Sequence, residues 1–313
     1  MGDPFFCSGP TILNISGGRT SGLMLRRVLD AHDGALPDDV HAVFCNTGRE
    51  RPETLDFVAE MESRWCVPIA WIERTPKGGF AEVTHETASR DGEPFAQLIT
   101  ERHYLPNAVA RFCTVALKIE PAAAWMRARG YEHWTSVLGL RHDEPKRVAT
   151  VRGRDHGQWD ATCPLFDARI TKADVLAFWR AQPFDLALKG HEGNCDLCFL
   201  KGRRVRERLL RDRPDLAPWW IEQEARIGGR FHAHEPGYAR TLDTVLRLPM
   251  LPMDLDGDDG TIPCHCTDRR RPPRCTCGKR RGTGHALGCA MVLGAEREPR
   301  VIYAAAPTYR ALA

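Results

Sequence analysis

Three groups of residues in this chain have types and spacings that chemistry could use. The first is Ser16-Gly17-Gly18-Arg19-Thr20-Ser21, directly after the short apolar run Thr11–Ile15. Glycines at a strand end let backbone N–H groups approach an anion, small hydroxyls add donors, and a following helix adds favourable potential. The loop has neither the G-x-x-x-x-G-K-S/T nor the G-x-G-x-x-G spacing. The second group is a set of thiols, Cys113 followed far downstream by Cys195-x-x-Cys198. Thiolates are soft ligands suited to iron–sulfur clusters or zinc. A C-x-x-C pair opening a helix would converge two sulfurs on one centre. The third group is Cys264, Cys266, Cys275 and Cys277, two C-x-C pairs with His265 and His285 nearby. This spacing is tighter than the usual separation of zinc ligands. It leaves open a second, zinc-binding site or a plain basic tail. Arg269, Arg270, Arg271, Arg274, Lys279, Arg280 and Arg281 could steer phosphate polymers there. No aromatic residue interleaves them to stack on bases.

These groups need elements to position them. Thr11–Ile15, His41–Asn46 and Pro68–Ile72 read as strands, alternating with helices over Ser21–Leu29 and Pro52–Trp65. Pro52 sits in a first helical turn, where its missing N–H costs nothing. Residues 74–110 read as an excursion over the active face. A helix is expected over Arg111–Arg129, a strand over Trp134–Leu140 and a charged loop over Arg141–Asp160. Another helix is expected over Thr171–Ala181, with Thr171 as its N-cap, and a basic helix over Cys195–Arg213. Strand–helix alternation predicts an α/β fold with a doubly wound parallel sheet, and the site at the carboxyl ends of its strands. The reading divides the chain into an α/β domain over 1–185, a helical C-x-x-C segment over 186–248 and a basic Cys-rich tail over 249–313.

Hydrophobic residues make up 42% of the chain, enough for a real core, and the formal charge of +3 is too small to imply nucleic acid or a membrane by itself. No apolar run approaches the ~20 residues of a membrane span, and the first ten residues lack a signal-peptide pattern. A cytoplasmic protein is expected. In that compartment the twelve cysteines are ligands, nucleophiles or core residues rather than disulfides. Cys45, in a strand, and Cys66, just ahead of one, read as small core hydrophobes.

The motifs also resemble a known family. Ser16–Ser21 is similar to the S-G-G-x-T/S-S loop of PP-loop (adenine nucleotide alpha hydrolase-like) enzymes. Phe44–Val58, FCNTGRERPETLDFV, resembles the N-T-G-x-E-x-P-E-T signature of the phosphoadenosine phosphosulfate (PAPS) reductase branch. Arg111-Phe112-Cys113-Thr114 with Leu117-Lys118 resembles its C-T-x-x-L-K segment. Gly139-Leu140-Arg141 with Asp143, Glu144 and Arg147 resembles its G-x-R-x-D/E-E-x-x-R loop. Cys163-Pro164-Leu165 with Asp174-Val175 resembles a further stretch. The resemblance spans roughly residues 11–200. It implies an adenine nucleotide (PAPS, APS, or ATP with magnesium) held by Ser16, Gly17, Gly18, Arg19, Thr20 and Ser21. Glu50, Lys118, Gly139 and Arg141 would be further contacts, with Glu53 facing the nucleotide or the helix dipole.

The branch often carries a 4Fe–4S cluster on a tandem Cys-Cys and a distant C-x-x-C. Here Phe112-Cys113 replaces the tandem pair. Cys113, Cys195 and Cys198 would then be ligands, with Cys163 or another group as the fourth, or one iron left open for an exogenous sulfide. Zinc is the rival metal. The reductases' nucleophilic E-C-G-L-H cysteine has no match, and Cys289 is the nearest analogue in position. The resemblance therefore implies sulfonucleotide reduction with a thiol electron donor. The departures point instead to ATP-dependent thiolation of a nucleic acid. A nucleotide-sensing nucleic-acid binder without catalysis is the third reading.

Overall fold

The computed structural model describes residues 2–193 and 195–248. Cys264, Cys266, Cys275, Cys277 and the catalytic candidate Cys289 lie outside the described residues, as does the whole tail from residue 249.

The centre is a six-stranded sheet in the order β4-β3-β2-β1-β5-β6. The strands are β1 (Thr11–Ile15), β2 (Val40–Asn46), β3 (Ile69–Arg74), β4 (Phe80–Val83), β5 (Trp134–Val137) and β6 (Trp159–Thr162). All neighbours pair in parallel except β3 and β4. Helices α1 (Arg19–Ala31), α2 (Pro52–Trp65), α3 (Glu93–Arg102), α4 (Phe112–Thr114) and α5 (Glu120–Ala128) precede β5. Helices α6 (Pro145–Arg152), α7 (Pro164–Asp167), α8 (Lys172–Arg180), α9 (Arg203–Asp212), α10 (Ala217–Ile227) and α11 (Tyr238–Arg247) follow it. This is the α/β, doubly wound sheet expected from the alternation of elements, with one antiparallel edge.

Strands β1 and β2 are apolar almost throughout because both of their faces are covered. On one face Leu13, Ile15, Phe44 and Trp71 pack with Leu23, Met24, Leu55, Val58 and Trp179 of α1, α2 and α8. On the other, Ile12, Val43, Cys45 and Ile72 pack with Trp125 and Met126 of α5. Each fully buried large side chain there is worth about 2–3 kcal/mol over exposure. A third core joins Phe95 and Leu98 of α3 and Leu117 to Leu209, Leu210, Trp220 and Tyr238 of α9–α11. The 186–248 segment therefore shares its apolar interior with residues from the sheet's crossover.

Several local expectations differ from the structure. Residues 141–160 hold helix α6 and most of strand β6's start, not a continuous loop. Three turn-forming residues (Pro145, Gly153, Gly157) hide short elements between them. Residues 195–202 run in turns, and the basic helix begins only at Arg203. Gly202 supplies the extended N-cap there. Cys45 is buried. Cys66 is exposed and not a core residue. It is the left-handed C-cap of α2 at φ 49, where turning the chain sharply into β3 takes precedence over burial. Thr171 does open α8, its N–H and hydroxyl both donating to Asp174.

Candidate active site

After β3 the chain crosses through β4 and α3–α5 and re-enters the sheet on the far side of β1. Strand β1 is thus flanked by β2 and β5, and the connections diverge at its carboxyl end, where an open α/β sheet forms its crevice. The sequence 16–21 fills that position. Gly17 has φ +71, and a Cβ there would stand 2.3 Å from the Thr54 methyl in the first turn of α2. No side chain other than hydrogen will fit.

The loop is held from within. Ser21 Oγ accepts from the Ser16 N–H at 3.1 Å and donates to the Gly18 carbonyl at 2.9 Å. Ser16 Oγ lies 3.0 Å from the same hydroxyl. Gly18 is the N-cap of α1 and no side chain caps it, so the positive end of a thirteen-residue helix faces the crevice. From β5, Gly139 lies so close to α1 that its Cβ would meet the Ser21 backbone at 3.3 Å. Arg141 follows, donating from Nη1 to Thr20 Oγ1 at 3.3 Å and pairing with Asp143 at 3.0 Å. The structure brings Ser16, Gly17, Gly18, Thr20, Ser21, Gly139 and Arg141 together. Arg19 points elsewhere. Its guanidinium binds Asp185 at 2.6 Å and the carbonyls of Leu186 and Leu188, strapping the loop to the chain after α8.

The second cluster stands on the same edge of the sheet, after β2. Glu50 Oε2 accepts from the Thr47 N–H at 2.8 Å and its hydroxyl at 2.7 Å. Glu50 Oε1 faces Lys118 Nζ at 3.3 Å. Lys118 belongs to a π-helical turn, Val115–Ile119, between α4 and α5. Such turns insert a residue and re-aim side chains, often at functional sites.

Cys195 forms an isolated antiparallel bridge with Glu50, and the Asp196 N–H donates to the Arg49 carbonyl at 3.0 Å. Asp196 is itself buried, paired with Arg49 and accepting from Trp220 Nε1 at 2.8 Å. Its burial still raises its pKa against that pairing. These contacts pin the C-x-x-C turn to the end of β2. Burial, then the Glu50 carboxylate, then Cys198, push the Cys195 thiol well above its usual range, with Cys113 adding to the rise and Lys118 opposing it. Lys201 is buried nearby. Its ammonium donates to the carbonyls of His191 and Gly193, at 2.7 and 2.5 Å. Burial lowers its pKa, and Cys198 and Cys195 act the other way.

Cys113 and Cys195 pack against one apolar core, with Cys198 in the same turn as Cys195, and Cys163 belongs to a different core. Cys163 is buried with Leu140 and Val148 behind β6. Burial pushes its thiol up to about 11. Among the described residues no group of three or more His, Cys, Asp or Glu is spaced to hold a single metal ion. In donor chemistry the three thiols fit a soft metal or iron–sulfur centre, and two ammonium groups offset the charge their ionisation would add.

The family model of the phosphoadenosine phosphosulfate reductase domain matches residues 10–185. The chain belongs to that family. The phosphoadenosine phosphosulfate reductase domain covers the whole sheet and both flanks of the crevice, and ends at Asp185, the residue that anchors Arg19. A curated relative is the uncharacterized nin region protein ORF290 of Escherichia phage lambda, 32% identical over 200 residues. The alignment covers 61% of this chain and 66% of that relative, just under two thirds of its length. Among solved structures, a PAPS reductase from Candida auris in its phosphate complex is 18% identical with a TM-score of 0.38. It covers 57% of this chain and 76% of that one. The U34-tRNA thiolase NcsA from Methanococcus maripaludis, with its 4Fe–4S cluster, is 14% identical with a TM-score of 0.40, covering 78% and 74%.

Lys201, Arg51 and the Thr47–Glu50 hook were not singled out by sequence reasoning. Lys201 lies three residues past Cys198 in a basic run. Only its burial distinguishes it from Arg203 and Arg204, the exposed arginines that follow. No helix among the described residues is long and apolar enough to cross a membrane.

Proposed function

We propose that this protein is an adenine-nucleotide enzyme of sulfur chemistry, with ATP as its nucleotide. ATP would lie on the 16–21 loop with Arg141 at its phosphates. An acceptor oxygen attacks the α-phosphorus, and pyrophosphate leaves. An exogenous hydrosulfide ion brought to Cys113, Cys195 and Cys198 would then attack the activated carbon, and AMP would leave with the oxygen. Preorganised N–H donors and the positive helix end stabilise the charge that builds on the phosphates. An iron–sulfur centre on the three thiols would supply a place to bind and deliver that sulfur. Lys118 and Lys201 supply positive charge beside the thiols, and Glu50 orients Lys118.

The observation that supports this reading is that Cys113 and Cys195 pack against one core, with Cys195 bridged to Glu50 and Glu50 facing Lys118, while Cys163 sits in a separate core. The acceptor class is a nucleic acid, for which the basic tail is the electrostatic argument. Membership of the family favours a second reading, reduction of PAPS or APS by a thiol donor, with Cys289 as the nucleophile.

Calorimetry on anaerobically purified protein separates the two. The panel is ATP with magnesium, PAPS, APS and AMP. Preference for ATP, with pyrophosphate release in the presence of tRNA or DNA, supports thiolation. Preference for PAPS or APS moves the conclusion to reduction. Binding of none overturns the nucleotide-enzyme reading.

A further inference from the structure

Four buried arginines stand in the described residues: Arg49, Arg51, Arg74 and Arg206. Three have strong partners. Arg49 pairs with Asp196 and stacks 5.0 Å from the centre of the Trp219 ring. Arg74 holds the Glu101 carboxylate with both Nη atoms, at 3.3 and 2.6 Å. Arg206 binds Glu235 and the carbonyls of Phe199 and Lys201. Arg51 is the exception. It is 4% exposed. Its one hydrogen bond is a 3.2 Å contact from Nη2 to Glu53 Oε1. Nε and Nη1 are buried with no acceptor.

A second unpartnered donor lies one helical turn on. Thr54 is 2% exposed and its Oγ1 has no partner. Arg51 is the N-cap of the fourteen-residue α2 and Thr54 its third residue, so the two share one side of its first turn. That turn packs on the 16–21 loop, through the Thr54 methyl at Gly17. No side chain caps α2. A buried guanidinium edge without an acceptor costs free energy, and nearly all such groups in folded proteins find a partner. Three buried donors at an uncapped helix start lack an acceptor, a shortage that an oxyanion would make good. Glu53 Oε1 holds Nη2 and leaves Nη1 and Nε without an acceptor. Glu53 Oε2 is also buried without a donor, which a magnesium ion carried on a polyphosphate would satisfy.

We propose that Arg51 and Thr54 form an anion subsite facing the Gly17 loop, which takes the terminal tetrahedral oxyanion of the nucleotide, beyond its α-phosphate. This rests on the reading of residues 16–21 as a nucleotide cradle. The oxyanion comes from the pyrophosphate portion of ATP or from the sulfate of PAPS. The subsite gives the pyrophosphate two anchors, one on each of the adjacent β1 and β2 connections.

The test uses the full-length chain and its Arg51→Met and Thr54→Val variants. Affinities for ATP with magnesium, PAPS, inorganic pyrophosphate and AMP are measured by calorimetry, and Tm without ligand by calorimetric unfolding. Arg51→Met is expected to lose about 10-fold or more in affinity for ATP and pyrophosphate, or for PAPS if the sulfonucleotide is the source. AMP binding should stay within about 2-fold. Thr54→Val should lose about 5-fold on the same ligand. Both variants should match or exceed the wild-type Tm without ligand, because each removes an orphan donor. Unchanged ATP, PAPS and pyrophosphate affinities would overturn the subsite while leaving the cradle standing. An equal loss for AMP, or a lower Tm in both variants, would assign Arg51 and Thr54 a structural role. If the wild type binds no nucleotide and no pyrophosphate, cradle and subsite fall together. If the wild type binds pyrophosphate but no nucleotide, and Arg51→Met loses that binding, the subsite stands while the nucleotide reading falls.

Discussion

Gly17 and Gly18 are adjacent, yet replacing them by alanine should have very different consequences. Gly17 has φ +71, in the left-handed region, and an added Cβ would stand 2.3 Å from the Thr54 methyl, with Phe44 at 3.3 Å. The backbone term alone costs about 1 kcal/mol. The overlap falls on a β-branched side chain that is stiff at χ1 and buried in the first turn of α2. Overpacking of this kind adds about 1–3 kcal/mol, so Gly17→Ala should lose about 2–4 kcal/mol. Gly18 has φ −106, which alanine adopts freely, and its Cβ would meet only Ser16 Oγ at 3.6 Å. Its cost is the N-cap preference for glycine over alanine, about 1 kcal/mol or less. Urea unfolding of the two variants, followed by tryptophan fluorescence, measures both. Gly17→Ala should also weaken ATP at least about 10-fold, since the loop must move to relieve the clash. Equal losses for the two variants, or a Gly17→Ala loss below about 1 kcal/mol with unchanged ATP affinity, would refute the idea that Gly17 sets the loop against α2.

Lys118→Met should destabilise the protein by about 1–3 kcal/mol, because the buried Glu50 carboxylate loses its counter-charge; thermal unfolding with Glu50→Gln as the second half of a mutant cycle reads the coupling. His232 is held at a pKa of about 4 by burial, then by Arg206. The unfolded chain takes up its proton near pH 6.5 while the folded one stays neutral, so this stability is full above pH 6.5 and is lost as pH falls toward 4. The loss should reach about 2 kcal/mol between pH 7 and 4.5. Urea midpoints at the two pH values should show it in wild type and a shallower change in His232→Gln. After anaerobic reconstitution with iron and sulfide, Cys195→Ala and Cys113→Ala should each lose most of the bound iron. Cys163→Ala should keep it, and iron assay with visible absorbance decides this. Equal loss in Cys163→Ala would place that thiol in the centre after all.

Much of this molecule can be read from its chain. The apolar runs 11–15 and 40–46 must be buried on both faces, and their alternation with helices fixes a parallel sheet. A glycine–hydroxyl loop after the first strand fixes where an anion can sit, because backbone donors and a helix start coincide there. Local rules reach that far because each concerns residues adjacent in sequence. They fail where a property depends on what approaches from elsewhere. Arg19 and Arg51 are both arginines beside the loop, yet one straps the chain at Asp185 and the other keeps two buried donors without acceptors. Cys163 and Cys113 are both single cysteines in matched segments, yet only Cys113 packs against the same core as Cys195. The C-x-x-C turn reaches β2 because Asp196 is buried against Arg49 and Trp220, and Lys201 is buried beside it. The sequence determined the fold and the place of the cradle through periodicity and backbone chemistry. Which thiols, which lysines and which arginine complete the site was decided by tertiary packing, since desolvation and long-range pairing arise only when distant segments close on one another.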